Sequence, residues 1–319
     1  MLPNVFPGAG DKPDYNTVDA ALWFFEAWRS YVDVSGDRES LTEVLPILAE
    51  IIEWHLKGMR YSIRADPVDG LLGAGEPGVQ LTWMDAKVGD WVVTPRIGKP
   101  VEGNALWYNA LCIMADFAAM LGRPAAVYRE LADRVRASFS RFADERTGGL
   151  YDVIDGPSGN DGAIRPNQIL AVSLPHSPVS PQLQSEIVTL CGQKLLTSYG
   201  LRSLSPDHSD YKPHYAGDPW HRDGAYHQGT VWAWLLGHYV VAEYRVRGDA
   251  DFAMQRLAVM RDHLFDAGLG TISEIFDADA PHLPGGAPSQ AWSVACILEA
   301  WWRLQRSNQG TANSVLAGG

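Results

Sequence analysis

The run Val101-Glu102-Gly103-Asn104-Ala105-Leu106-Trp107-Tyr108, continuing to about Leu121, sets apolar, small and polar residues on every side of a helix. A helix of that kind is buried all round. Two residues, Gly122-Arg123, separate it from a segment at about Pro124 to Ala143 that is apolar on one side only. Pro124 stands where a first-turn proline belongs. A buried helix followed at once by a one-sided one predicts an inner helix covered by an outer helix.

The same alternation recurs on either side. Asn16 or Thr17 can cap a helix from Val18 to about Val34, stopped by Gly36, and a second runs from about Glu39 to Lys57 with Leu45, Leu48, Ile51, Ile52 and His55 near one face. Later segments lie at about Pro166 to Leu174, Pro181 to Leu196, Tyr226 to Arg247, Ala250 to Ala267 and Pro288 to Gln305. Those carrying Trp23, Trp107, Trp232 and Trp292 have the inner character, and their successors the outer one. The fold class is all-α: nine helices in two layers, residues 1–306 as one domain, with a frayed tail at 307–319.

Connections alternate too. Inner-to-outer links (Ser35–Asp37, Gly122–Arg123, Gly248–Asp249) are short, whereas outer-to-inner links (Gly58–Pro100, Asp144–Arg165, Thr197–Ala225, Gly268–Ala287) are long and rich in acids, amides and aromatics. Long ordered loops are usually functional. If the inner helices run parallel, all the long loops open on one face, which is the candidate site.

Composition narrows the chemistry. With 38 acidic against 26 basic residues, a net charge of −12 and no basic run, the chain lacks the footprint of a nucleic-acid binder. No stretch of 18 apolar residues occurs, and Met1-Leu2-Pro3-Asn4 lacks a basic region leading into an apolar core, so a cytoplasmic, non-membrane protein is expected. Cys112, Cys191 and Cys296 are odd in number and widely spaced, which reads as reduced thiols. His208, His214, His221 and His227 match no compact zinc spacing and read as loop-bonded or sugar-binding. Twelve Trp and twelve Tyr, many beside acids and amides, suit sugars, although any single Trp is as readily core filler.

Two acids stand out. Asp85 follows Thr82-Trp83-Met84, where burial among bulky groups would raise a carboxyl pKa toward that of a general acid. Glu274, in Ser273-Glu274-Ile275-Phe276-Asp277, comes from the other end of the chain and could hold and deprotonate water. Inverting glycoside hydrolysis uses such a pair, but an isolated loop acid is more often structural.

These blocks, with Tyr15-Asn16-Thr17-Val18-Asp19-Ala20, Leu22-Trp23-Phe24, Gly75 through Lys87, Thr94-Pro95-Arg96, Tyr226 through Trp232 and Gln290-Ala291-Trp292-Ser293, closely resemble the C-terminal catalytic domain of bacterial glycogen debranching enzymes of the amylo-α-1,6-glucosidase type. The resemblance extends from about Leu2 to Arg306. It implies an (α/α)6 toroid of the six-hairpin glycosidase kind, inverting hydrolysis of α-1,6-linked glucose at branch stubs of glycogen or limit dextrin, and no metal or other cofactor. Carried over by position, Asp85 matches the general acid and Glu274 the general base. Asp19, Trp23, Glu76, Trp83, Arg96, Asn104, Trp107, Asn167, His227, Gln228, Gln290 and Trp292 fall in motifs that resemble sugar-subsite walls.

Two departures accompany the resemblance. Family members usually carry a β-rich domain and a Trp-Gly-Arg-Asp segment before the point matching Met1, and Gly285-Gly286 stands where Arg-Gly-Cys-like residues are usual. The first implies an incomplete toroid, with an apolar notch inviting self-association or a partner domain and with activity weakened. Two competing readings are another inverting α/α-toroid glycosidase, of the trehalase or glucoamylase kind, and a catalytically silent glucan-binding protein.

Overall fold

The computed structural model describes residues 1–4, 8, 10 and 12–317, with the side chains of the last helix described to 307. The chain divides into two compact units, one of Met1–Asp144, Leu150–Gly162 and Leu174–Val179, the other of Glu145–Gly149, Ala163–Ser173 and Ser180–Gly319.

In the first unit, α1 (Ala20–Ser35) begins after Asp19, two residues later than the expected Val18, and the Thr17 side chain accepts the Ala20 N–H at 3.2 Å. Gly36, at φ 67°, closes it with an N–H to the Val32 carbonyl. Asp37 caps α2 (Arg38–Lys57) through the Ser40 N–H. The inner helix α3 (Val101–Met120) is buried along most of its length and packs against α1, α2 and α4 (Ala126–Phe139). Each fully buried large side chain here, such as Leu22, Phe25 or Leu106, contributes about 1.5–3 kcal/mol. Pro124 lies outside α4, whose end tightens into a 3-10 turn at Ser140–Phe142.

The long link before α3, which showed no periodicity, is pinned by short antiparallel pairs. Arg64–Ala65 joins Leu72–Gly73, Lys87–Val88 joins Trp91–Val92, and Lys99–Pro100 joins the strand Val153–Gly156. Gly98 makes the last pairing feasible: at φ +132°, a Cβ there would lie 2.6 Å from the Ile154 carbonyl oxygen.

In the second unit a 3-10 turn, Pro166–Ile169, runs into α5 (Leu170–Ser173), followed by α6 (Pro181–Lys194), α7 (Pro219–Ala225), α8 (Trp234–Arg247), α9 (Ala250–Gln255), α10 (Ala258–His263) and α11 (Ala291–Ala317). The expected helix from Tyr226 starts only at Trp234, because Val231–Trp232 is taken up as an inner strand of a four-stranded antiparallel sheet. Its order is Leu201–Arg202, Val231–Trp232, Ile275–Phe276, Pro284–Gly285. The buried α8 packs along α11 so closely at Gly237 that a Cβ there would lie 2.3 Å from the Cys296 carbonyl oxygen.

The backbone of α11 continues past Gln305 to Ala317, and the expected tail at 307–319 falls almost wholly on side chains outside the described residues. Trp292, Leu298, Trp301 and Trp302 are exposed on this helix. Among the described residues no helix is long and apolar enough to cross a membrane.

Candidate active site

The segment bearing Asp85 is fixed from several directions within the first unit. The Leu81 carbonyl accepts the Val18 N–H at 2.8 Å, tying the approach to α1 to the segment. Thr82 Oγ1 accepts the Met84 N–H at 3.3 Å, the Thr94 hydroxyl donates to the Met84 carbonyl at 2.9 Å, and the Ala86 carbonyl accepts the Val93 N–H at 3.0 Å. Leu81 to Met84 and Ala86 are all buried while Asp85 itself is half-buried. Its backbone is therefore held by buried neighbours on both sides.

Asp19 lies within electrostatic reach. Burial pushes its carboxyl above the usual range, and the Asp85 charge adds to the shift, against the hydrogen bonds from the Thr17 hydroxyl and the Trp83 backbone. Two carboxyls that interact this way disfavour simultaneous ionisation. Trp23, on the first turn of α1, is half-buried, and Glu76 is exposed and accepts the Ser62 hydroxyl at 3.1 Å.

Three residues expected to wall a sugar subsite instead hold the fold. Arg96 is buried and spends its guanidinium on protein acceptors: Nε and Nη2 on the Asp152 carboxylate at 2.7 and 3.0 Å, Nη2 on Glu102 at 2.7 Å, and Nη1 on Glu102 and, at 3.2 Å, on Thr82 Oγ1. The two flanking carboxylates hold the guanidinium pKa above its ordinary value against the opposing cost of burial. Asn104 is fully buried and bonds both the N–H and the carbonyl of Leu72. Trp107, also fully buried, donates to the Gly70 carbonyl at 3.1 Å and stacks on His55 at 5.3 Å. These are roles for groups whose polar atoms must be satisfied once buried.

In the second unit Glu274 precedes the strand Ile275–Phe276 and is half-buried. Its Oε2 accepts the Ala287 N–H at 2.8 Å and its Oε1 accepts the Gln290 side-chain amide at 2.9 Å. Gln290 is itself fixed by its N–H to the Ile272 carbonyl at 3.1 Å, and the Glu274 N–H returns to the Ala287 carbonyl at 3.0 Å. Gly286 lets the carboxylate in: a Cβ at this residue, at φ +69°, would lie 2.2 Å from Oε2. The motif reading had treated Gly285-Gly286 only as a departure, and Tyr215, whose phenol burial pushes upward with a smaller push from the Glu274 charge, carried no sequence signal.

His227 is fully buried and stacked on Trp232 at 5.0 Å, and its carbonyl, with the Gln228 side chain, accepts from buried Arg165 at 2.7 Å each. Asn167 is fully buried in the Pro166–Ile169 turn. These residues support the site loops rather than wall a pocket. Of the four tryptophans in subsite-like motifs, Trp83 and Trp107 are buried, while Trp23 and Trp292 keep accessible surface; Trp232 is buried as well. His208 and His221 are tied to their own loop, His221 to Asp218 at 2.8 Å, whereas His214 reaches Asp277 in the last long loop at 3.2 Å.

Comparison with known proteins gives this arrangement a family. The chain is 23% identical to the glycogen debranching enzyme of Saccharomyces cerevisiae over 95% of its own length but only 27% of that enzyme, so it spans about a quarter of that relative. Among solved structures it resembles the GH63 mannosylglycerate hydrolase from Thermus thermophilus. The form in complex with glucose gives a TM-score of 0.61 and 17% identity over 93% of this chain and 80% of that one. The form with Tris and D-glycerate gives 0.63 and 16% over 95% and 82%. The fold is thus the helical toroid class of the six-hairpin glycosidases, as the resemblance implied, with short strands added in the loops. The family model for amylo-alpha-1,6-glucosidase matches residues 1–299, and the chain belongs to that family of glycoside hydrolases.

Proposed function

We propose that this chain hydrolyses α-1,6-linked glucose at the branch stubs of an α-glucan, with inversion at the anomeric carbon. Asp85 donates its proton to the glycosidic oxygen as the C1–O6 bond breaks. Glu274 takes a proton from the water that attacks C1 on the opposite face, and β-glucose leaves. The observation that carries the reading is the clamp on Glu274. One N–H donor on each carboxylate oxygen orients the group and leaves each oxygen a lone pair with which to receive a water proton. Asp85 lies within electrostatic reach of the buried Asp19 carboxyl, whose pKa is raised by burial and, less, by the Asp85 charge. Free Cys112, Cys191 and Cys296 fit a reaction in the reducing cytoplasm.

The test is the product. Limit dextrin should release glucose, observed by NMR first as the β-anomer; α-glucose as first product would overturn the roles given to both acids. A cavity-forming Glu274→Ala variant with azide should yield β-glucosyl azide, which Asp85→Ala should not. The solved relatives favour one specific competitor, hydrolysis of mannosylglycerate. Faster turnover of that compound than of an α-1,6-glucoside would replace the substrate and keep the acid pair. Binding of glucan with no turnover of either would leave a silent binding protein.

A further inference from the structure

A cavity of about 590 Å³ opens in the second unit beside α9 and α10, away from the Glu274 clamp, none of whose residues lines it. That volume is in the range of small-molecule sites, roughly 300–1,000 Å³. Its lining combines apolar Leu236, Phe252 and Val259 with polar Arg202, Gln255 and His282.

The two arginines at the cavity differ. Arg256 is committed, with both its Nε and Nη2 on the Glu243 carboxylate at 3.1 and 3.2 Å and its guanidinium over the Phe252 ring at 5.1 Å. Arg202 reaches only neutral oxygens: the Tyr211 hydroxyl at 3.3 Å, the Leu196 carbonyl at 3.4 Å and the Ala278 carbonyl at 3.1 Å. Among the described residues no carboxylate is in ion-pair contact with it. In a chain of net charge −12, this half-buried guanidinium keeps its charge uncompensated. His282 Nδ1 donates to the Asp277 carbonyl at 2.9 Å, which leaves Nε2 of the neutral ring as an acceptor for a hydroxyl.

We propose that this cavity binds a small phosphomonoester of a sugar or polyol, the phosphate on Arg202, a hydroxyl of the organic part donating to His282 Nε2 and its C–H face on Phe252 and Val259. A neutral glucan chain would make no use of the cation. A bare anion would leave the apolar wall empty. The cavity serves neither acid of the hydrolytic pair, so the proposal stands independently of the proposed reaction.

Calorimetric titration of the full chain with glucose 6-phosphate, inorganic phosphate, glucuronate and glucose tests it. Glucose 6-phosphate should bind with a Kd of about a millimolar or tighter, phosphate about tenfold more weakly, and glucose not detectably. Val259→Trp, which fills the cavity, should abolish binding, and Gln255→Glu, which sets a carboxylate at the rim, should weaken it about tenfold. Arg202→Gln should do the same; if it fails to fold, the other two variants decide. Glucose 6-phosphate that does not bind, or that binds a natively helical Val259→Trp chain as well as the parent, overturns the proposal. Phosphate binding as tightly as the sugar phosphate overturns its organic part, and glucuronate binding as tightly overturns the phosphate.

Discussion

The Asp85 segment is fixed through the Leu81, Met84 and Ala86 carbonyls and the Met84 N–H, and at Glu274 two N–H donors fall on the carboxylate itself. The first arrangement fixes where the acid stands and sets its carboxyl within the field of Asp19. The second fixes which way the carboxylate faces. A proton donor must lose its hydrogen to a moving leaving group, while a base must present lone pairs to a water at one position. The two kinds of support match those two demands.

The comparison can be broken most forcefully at the acids. Asp85→Asn and Glu274→Gln should each lower kcat on the order of 10²–10⁴-fold. Glu274→Gln should also lower the unfolding free energy read by urea titration by about 1–2 kcal/mol, because its amide nitrogen faces an N–H donor. An unchanged unfolding free energy in Glu274→Gln would remove the clamp from the account. Next in size is Arg96→Met, which strands Glu102 and Asp152 in the core and should cost about 3–5 kcal/mol by denaturant titration, with Arg96→Lys restoring part of it.

His55 tests the support behind the first region through pH. Burial lowers its pKa from 6.5 to about 4. As pH falls below 6.5 the unfolded chain takes up the proton before the folded one, so stability falls until about pH 4 and levels off below it. The loss should amount to about 3 kcal/mol and be missing from the urea midpoints of His55→Phe. Gly286→Ala sharpens the second region. By displacing the clamped carboxylate it should reduce kcat roughly 10- to 100-fold with little change in KM.

The smallest effect is expected at Asp19. Its raised folded pKa means that its stabilising contribution is complete below the ordinary value of 3.8 and is lost as pH rises through the folded value. Asp19→Asn should therefore raise the urea midpoint at pH 7 relative to its effect at pH 3; no difference between the two would remove the buried charge from the account.

The helical framework was legible because periodicity and capping act over a few residues. α2, α3 and α6 lie within a residue or two of the expected bounds, and Gly36 ends α1 as read. Strand pairing reaches across the chain and hid the late start of α8, since Val231–Trp232 needs partners at Leu201–Arg202 and Ile275–Phe276. The expected subsite residues show the same limit. Motifs select residues that matter to a site, but Arg96, Asn104, Trp107, Asn167 and His227 differ from Trp23 and Trp292 only in burial, which depends on contacts such as Arg96 with Asp152.

The Arg96 network has a thermal consequence. Because one guanidinium joins Thr82, Glu102 and Asp152, the segment leading to Asp85 cannot loosen by fraying one bond at a time; the core around α3 must open with it. Local premelting of that segment is suppressed, and the ordering of its backbone is complete before substrate arrives. Activity on heating should then hold until the cooperative transition of the first unit and fall with it, so that the inactivation and unfolding curves overlay.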